Sequence, residues 1–148
     1  MKIALTVAAT IVAASPVPAS VQRAIPRKVP GHLRYVPTKV PIGYHYAKWH
    51  GSHSGLDIYF ARAGRPSTLG FHALAAGPAG TCTAGGTHAY RFGSVRVSFE
   101  TGHDVQQYWR CARGGRVSIE ATASHTDGST ATKRRAIAAM VASATPLR

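Results

Sequence analysis

Carboxylates are what this sequence has least of. Five Asp and Glu stand against 18 Lys and Arg in 148 residues, a formal net charge of +13, one less if Lys2 leaves with a leader. Asp57, Glu100, Asp104, Glu120 and Asp127 are too few and too evenly spread to single out a pair for glycoside hydrolysis. Cysteine is scarcer still. Cys82 and Cys111 permit one pairing, and without Cys-x-x-Cys spacing they read as a structural bond rather than a reactive thiol. No apolar run reaches the roughly 20 residues that span a bilayer as a helix, so no permanent anchor is expected. No cysteine follows the N-terminal apolar run, so no thioether-linked lipid is expected either. Residues 80–87 have the glycine spacing of a phosphate loop, but Gly86 stands where the lysine must be. Residues 51–55 imitate a nucleophile elbow, with His53 where serine is required. No cofactor is expected, and without a nucleic-acid motif such a partner is not expected.

What is present begins with an export pattern. Lys2, an uncharged apolar run over residues 3–14, a proline, and small residues at Val17 and Ala19 read as a signal peptide over 1–19. Cleavage after Ala24 is the alternative boundary. The chain is therefore expected to be secreted or extracytoplasmic, where a Cys82–Cys111 disulfide persists. Closing a loop of that length stabilises by about 3 to 4 kcal/mol in the chain-entropy model. Pro26 and Pro30 with interleaved basic residues predict an extended Pro-rich basic arm over 20–35. Residues 36–148 are left for a single globular domain, too short for two cores.

From Tyr44 onward the apolar period is two. Tyr44, Tyr46 and Lys48 fall on one side of a strand, with His45, Ala47 and Trp49 on the other. Leu56, Ile58 and Phe60 alternate with Asp57 and Tyr59, and Leu69, Phe71 and Ala73 repeat the pattern. Residues 77–86 are too glycine-rich for regular structure and predict a loop that Cys82 pins to the sheet. Val95, Val97 and Phe99 mark another strand. Arg113-Gly114-Gly115 is a turn between a strand bearing Cys111, taken as inward, and one with Val117, Ile119 and Ala121 inward. The period then changes: Ile137, Met140, Val141 and Ala144 form a helical stripe after an N-cap at Ser129 or Thr130. These signals predict an α+β domain, an antiparallel sheet of about five or six strands packed on one C-terminal helix, with one disulfide.

The charge favours anionic partners, which outside a cell are envelope phosphates, acidic polysaccharides or lipid head groups; an envelope protein is the other partner class. Arg110, Arg113 and Arg116, with Arg110 and Arg116 read as outward on the hairpin, are the candidate anion site. His50 and His53 flank a turn and are the candidate metal ligands. The reading that results is a secreted, non-enzymatic binding or interaction module of a bacterial envelope. A small secreted hydrolase, using a histidine with a hydroxyl nucleophile, and a histidine-based metal binder are the alternatives.

Pro37-Thr38-Lys39-Val40-Pro41-Ile42-Gly43-Tyr44 resembles a P-x-x-(L/V)-P-x-G-(Y/F) opening found before the first strand of secreted bacterial domains of unknown function. With residues 55–60, the hairpin through Ile119 and a closing helix, the order is similar to domains of exported sporulation-type lipoproteins. It is also similar to the C-terminal domain of periplasmic sigma-factor regulators of the MucB/RseB kind. The resemblance implies a non-catalytic sensing or interaction domain and carries no catalytic residues.

Overall fold

A computed structural model of the chain describes residues 15–65, 69–77 and 81–148. The apolar run over residues 3–14 lies outside them. The elements are a short helix α1 (Ala19–Ala24), strands β1 (Tyr35–Val36), β2 (Tyr44–Ser52), β3 (Gly55–Arg62), β4 (Leu69–Ala75), β5 (His88–Phe92), β6 (Val95–Thr101), β7 (Val105–Ala112) and β8 (Val117–Ser124), helix α2 (Ala131–Ser143), and β9 (Thr145–Pro146). The architecture is α+β, as the periodicity implied. Its sheet has seven antiparallel strands in the order β2-β3-β4-β8-β7-β6-β5, and β1 pairs separately with β9. Two meanders, β2–β4 and β5–β8, thus meet where β4 lies beside β8.

One face of this sheet is the core face. Leu56, Ile58, Phe60, Leu69, Phe71, Val97, Tyr108, Val117 and Ile119 are fully buried there, each large apolar side chain contributing about 1.5 to 3 kcal/mol on leaving water. Helix α2 covers β5–β8 with Ile137, Ala138, Met140 and Val141. Thr130 caps it, its Oγ1 accepting from the Lys133 N–H at 3.2 Å. At the start of β2 the Tyr44 hydroxyl donates to Asp127, which also accepts from Ser124 Oγ at 2.8 Å and lies 3.7 Å from Arg62 Nε. Burial first, then Asp127, pushes the Tyr44 phenol above its ordinary range.

Three expectations are corrected. The segment read as an extended arm is a series of helical turns: α1, then short turns at Ile25–Arg27 and Gly31–Leu33. Val17, Val21, Ile25, Val29 and Leu33 recur every four residues and are all buried in the shared core. Proline does not prevent this, because Pro26 sits in the first turn of its helix, where no N–H is needed. Arg34 ties the turns together by donating to the Val29 carbonyl at 2.7 Å and the Pro26 carbonyl at 3.1 Å. Both proposed cleavage points, after Ala19 and after Ala24, therefore fall inside packed chain.

The second correction is register. A bulge between Tyr46 and Lys48 shifts β2 by one residue and so reverses the faces beyond it. Trp49 then pairs with Ile58 on the core face, while Lys48 pairs with Tyr59 on the other, its Nζ 5.1 Å from the ring centre. The third concerns Cys111. The disulfide with Cys82 is present, with Cα atoms 5.5 Å apart, but Cys111 pairs with Ser118 on the open face, not toward the core.

Candidate functional site

The predicted arginine trio divides. Arg110 pairs with Ile119 and therefore points to the core face, not outward. Its Nε and NH2 groups donate to the carbonyls of Val141 and Ala144, at 3.0 and 2.6 Å, at the end of α2. Four carbonyls at a helix end lack partners within the helix, and a guanidinium supplies donors and a favourable charge there. Desolvation lowers the Arg110 pKa, so burial of this cation is opposed and the carbonyls compensate it. Arg110 is thus a helix clamp, not a free anion ligand.

Arg113 and Arg116 do converge. With His32, in the turn at Gly31–Leu33, they line a cavity of about 350 Å³. Arg113 also lies 6.0 Å from the centre of the Tyr35 ring, which fixes the hairpin tip against β1. A second groove is lined by Arg23, Arg27 and Arg148. Neither residues 15–43 nor residues 131–148 contain an acid, so the helical layer is basic without local compensation.

The candidate metal histidines are not gathered into a ligand set. His50 Nδ1 is 3.9 Å from Asp57, while His53 sits exposed in the turn between β2 and β3. Among the described residues, no group of three or more His, Cys, Asp or Glu converges on a metal position.

The sequence reading missed a row across the open face. Paired register places His50, Asp57, His72, Glu120, Trp109 and Ser98 side by side on β2, β3, β4, β8, β7 and β6. Asp57 is 2.6 Å from His72 Nδ1, and Thr122 Oγ1 is 3.3 Å from His72 Nε2. The imidazole lies over Gly70, where an added Cβ would approach His72 Nε2 to 2.7 Å. Period-two alternation marks Asp57 and Glu120 as outward but puts Trp109 on the inward side with Cys111, and which strands neighbour each other is set by long-range pairing.

Residues 81–87 run over this same face as a strap ahead of β5, while residues 78–80 of the predicted loop lie outside the described residues. The disulfide holds it, the Cys82 N–H donates to the Gly115 carbonyl at 2.7 Å, and the Trp109 indole N–H donates to the Thr83 carbonyl at 3.0 Å. Gly85 donates to Ser98 Oγ at 3.2 Å. Trp109 separates two clefts beneath the strap, of about 490 and 390 Å³.

Comparison with known proteins finds no matching family model, no matching curated protein and no matching solved structure.

Proposed function

We propose that the protein is an extracytoplasmic, non-enzymatic binding module that docks on anionic polymers of a bacterial envelope through its helical, basic side. The observation that carries this reading is the convergence of Arg113 and Arg116, at the β7–β8 hairpin, with His32 on one cavity, beside a helical layer that has no acid to neutralise it. Fixed guanidinium groups recognise phosphate or carboxylate oxygens with two parallel donors each. The disulfide and the absence, among the described residues, of a helix able to cross a membrane fit an exported chain. The resemblance to exported sensing domains points the same way. The test is binding to polyphosphate and to alginate at two salt concentrations, since screening shortens from about 10 Å at 0.1 M to about 3 Å at 1 M. Affinity should fall with salt and fall again in Arg113→Ser/Arg116→Ser; binding indifferent to both sinks the proposal.

One observation favours a second reading, a small hydrolase. With its proton on Nδ1 directed to Asp57, His72 accepts from the Thr122 hydroxyl, the arrangement in which a hydroxyl becomes a nucleophile. Ester hydrolysis that disappears in Thr122→Val and in His72→Gln would establish it in place of the first reading.

A further inference from the structure

The two clefts under the strap share Trp109 as a wall and differ in charge. The larger presents Arg96, and the smaller presents Glu100, Glu120, Gln107, Ser118 and Thr83 around the indole. We propose that the smaller cleft is a saccharide site for one or two pyranose rings, neutral or amino-bearing, separate from the basic surface invoked above. Its volume of about 390 Å³ lies at the lower end of the roughly 300 to 1,000 Å³ typical of small-ligand sites.

The wall chemistry selects the ligand. The indole N–H is already engaged by the Thr83 carbonyl, which fixes the ring, and an added Cβ on Gly86 would come within 3.0 Å of it. An aromatic face held in place suits the apolar C–H face of a sugar ring. Carboxylates accept from two adjacent hydroxyls at once, and the Gln107 amide both donates and accepts. Glu120 is half-buried, and none of the described residues hydrogen-bonds or ion-pairs with its carboxylate. Hydroxyl or ammonium donors from a ligand would satisfy it. Two carboxylates also disfavour an anionic ligand, so this cleft and the basic side select different chemistries.

The experiment follows Trp109 fluorescence in a Trp49→Phe background, which leaves one indole in the chain, with saturation-transfer NMR on the unaltered protein as a second readout. The probes are di-N-acetylchitobiose, its de-acetylated dimer, a sulfated disaccharide and trilysine. The first two should bind saturably. Glu100→Gln/Glu120→Gln should weaken them about tenfold, or roughly 1.4 kcal/mol, with thermal stability unchanged because none of the described residues hydrogen-bonds or ion-pairs with either carboxylate. Arg113→Ser/Arg116→Ser should leave saccharide binding intact, which separates this inference from the anion reading. Absence of saturable binding by both saccharides at millimolar concentration, equal binding by the double glutamine variant, or a response to trilysine or the sulfated probe alone overturns it.

Discussion

Replacing Arg110 tests the division of the arginine trio most directly, because the residue is expected to matter for stability where its neighbours do not. Its guanidinium makes two bonds to carbonyls at the end of α2. Hydrogen bonds from a charged donor contribute about 1.5 to 3 kcal/mol each, and a cation at a helix C-terminus adds a few tenths more. Desolvation of the cation, which lowers its pKa, offsets part of this. Water reaches part of the site once the side chain is gone, since Arg110 is only partly buried. The net loss for Arg110→Ala should therefore be about 2 to 3 kcal/mol. For a domain of this size that lowers Tm by about 10 °C. Arg110→Lys should recover only part, because an ammonium cannot hold both carbonyls in a fixed fork. Arg113→Ser and Arg116→Ser should each stay within about 0.5 kcal/mol of the parent. Urea and thermal denaturation decide the matter. An Arg110→Ala protein that melts with the parent, or Arg113 and Arg116 variants that fall as far, would refute the clamp.

Cys82→Ser and Cys111→Ser should each destabilise by about 3 to 4 kcal/mol and to the same extent by calorimetry; unequal losses would give one sulfur a separate role. Gly86→Ala should loosen the strap, since φ is +84° and the new Cβ would lie 2.5 Å from the Phe99 carbonyl oxygen; unchanged exchange protection at Thr87, whose N–H bonds that carbonyl, counts against it. Tyr44 and Tyr108 have phenol pKa values raised first by burial. The folded state therefore keeps protons that the unfolded chain releases near pH 10, so stability is full below about pH 10 and falls as pH rises beyond it. A urea midpoint that stays level through that range contradicts this. If the chain is exported and processed, the full burial of Val17 predicts a start upstream of it rather than at Ser20; an intact mass that shows a start at Ser20 overturns this.

Where local pattern and tertiary environment agreed, the fold was legible. Leu56, Ile58 and Phe60, and Val117, Ile119 and Ala121, alternate without interruption and form β3 and β8 with those residues inward. The Thr130 cap and the stripe at Ile137, Met140 and Val141 placed α2. The N-terminal turns were hidden because proline was weighed above spacing, although apolar residues at 17, 21, 25, 29 and 33 carried the signal. The bulge at Ala47 had no local signature. Arg110 was misplaced because Cys111 was assumed to point inward; the neighbouring Tyr108, among the largest apolar side chains of the hairpin, was the better guide to the buried side.

Net charge alone would describe one uniformly basic body, yet the topology sorts the charges. Strand acids must take outward positions in an alternating sheet, and because α2 and the N-terminal turns cover the other face, Asp57, Glu120 and Glu100 all fall on the open one. Cations predominate in segments that fold over the core and lack acids altogether. The crossing from β4 to β5 exists only because β8 intervenes between the two meanders, and the disulfide anchors that crossing directly beside Trp109. The same strand order that hides these faces from a linear reading thus separates a cationic side from a carboxylate-bearing cleft within one small domain.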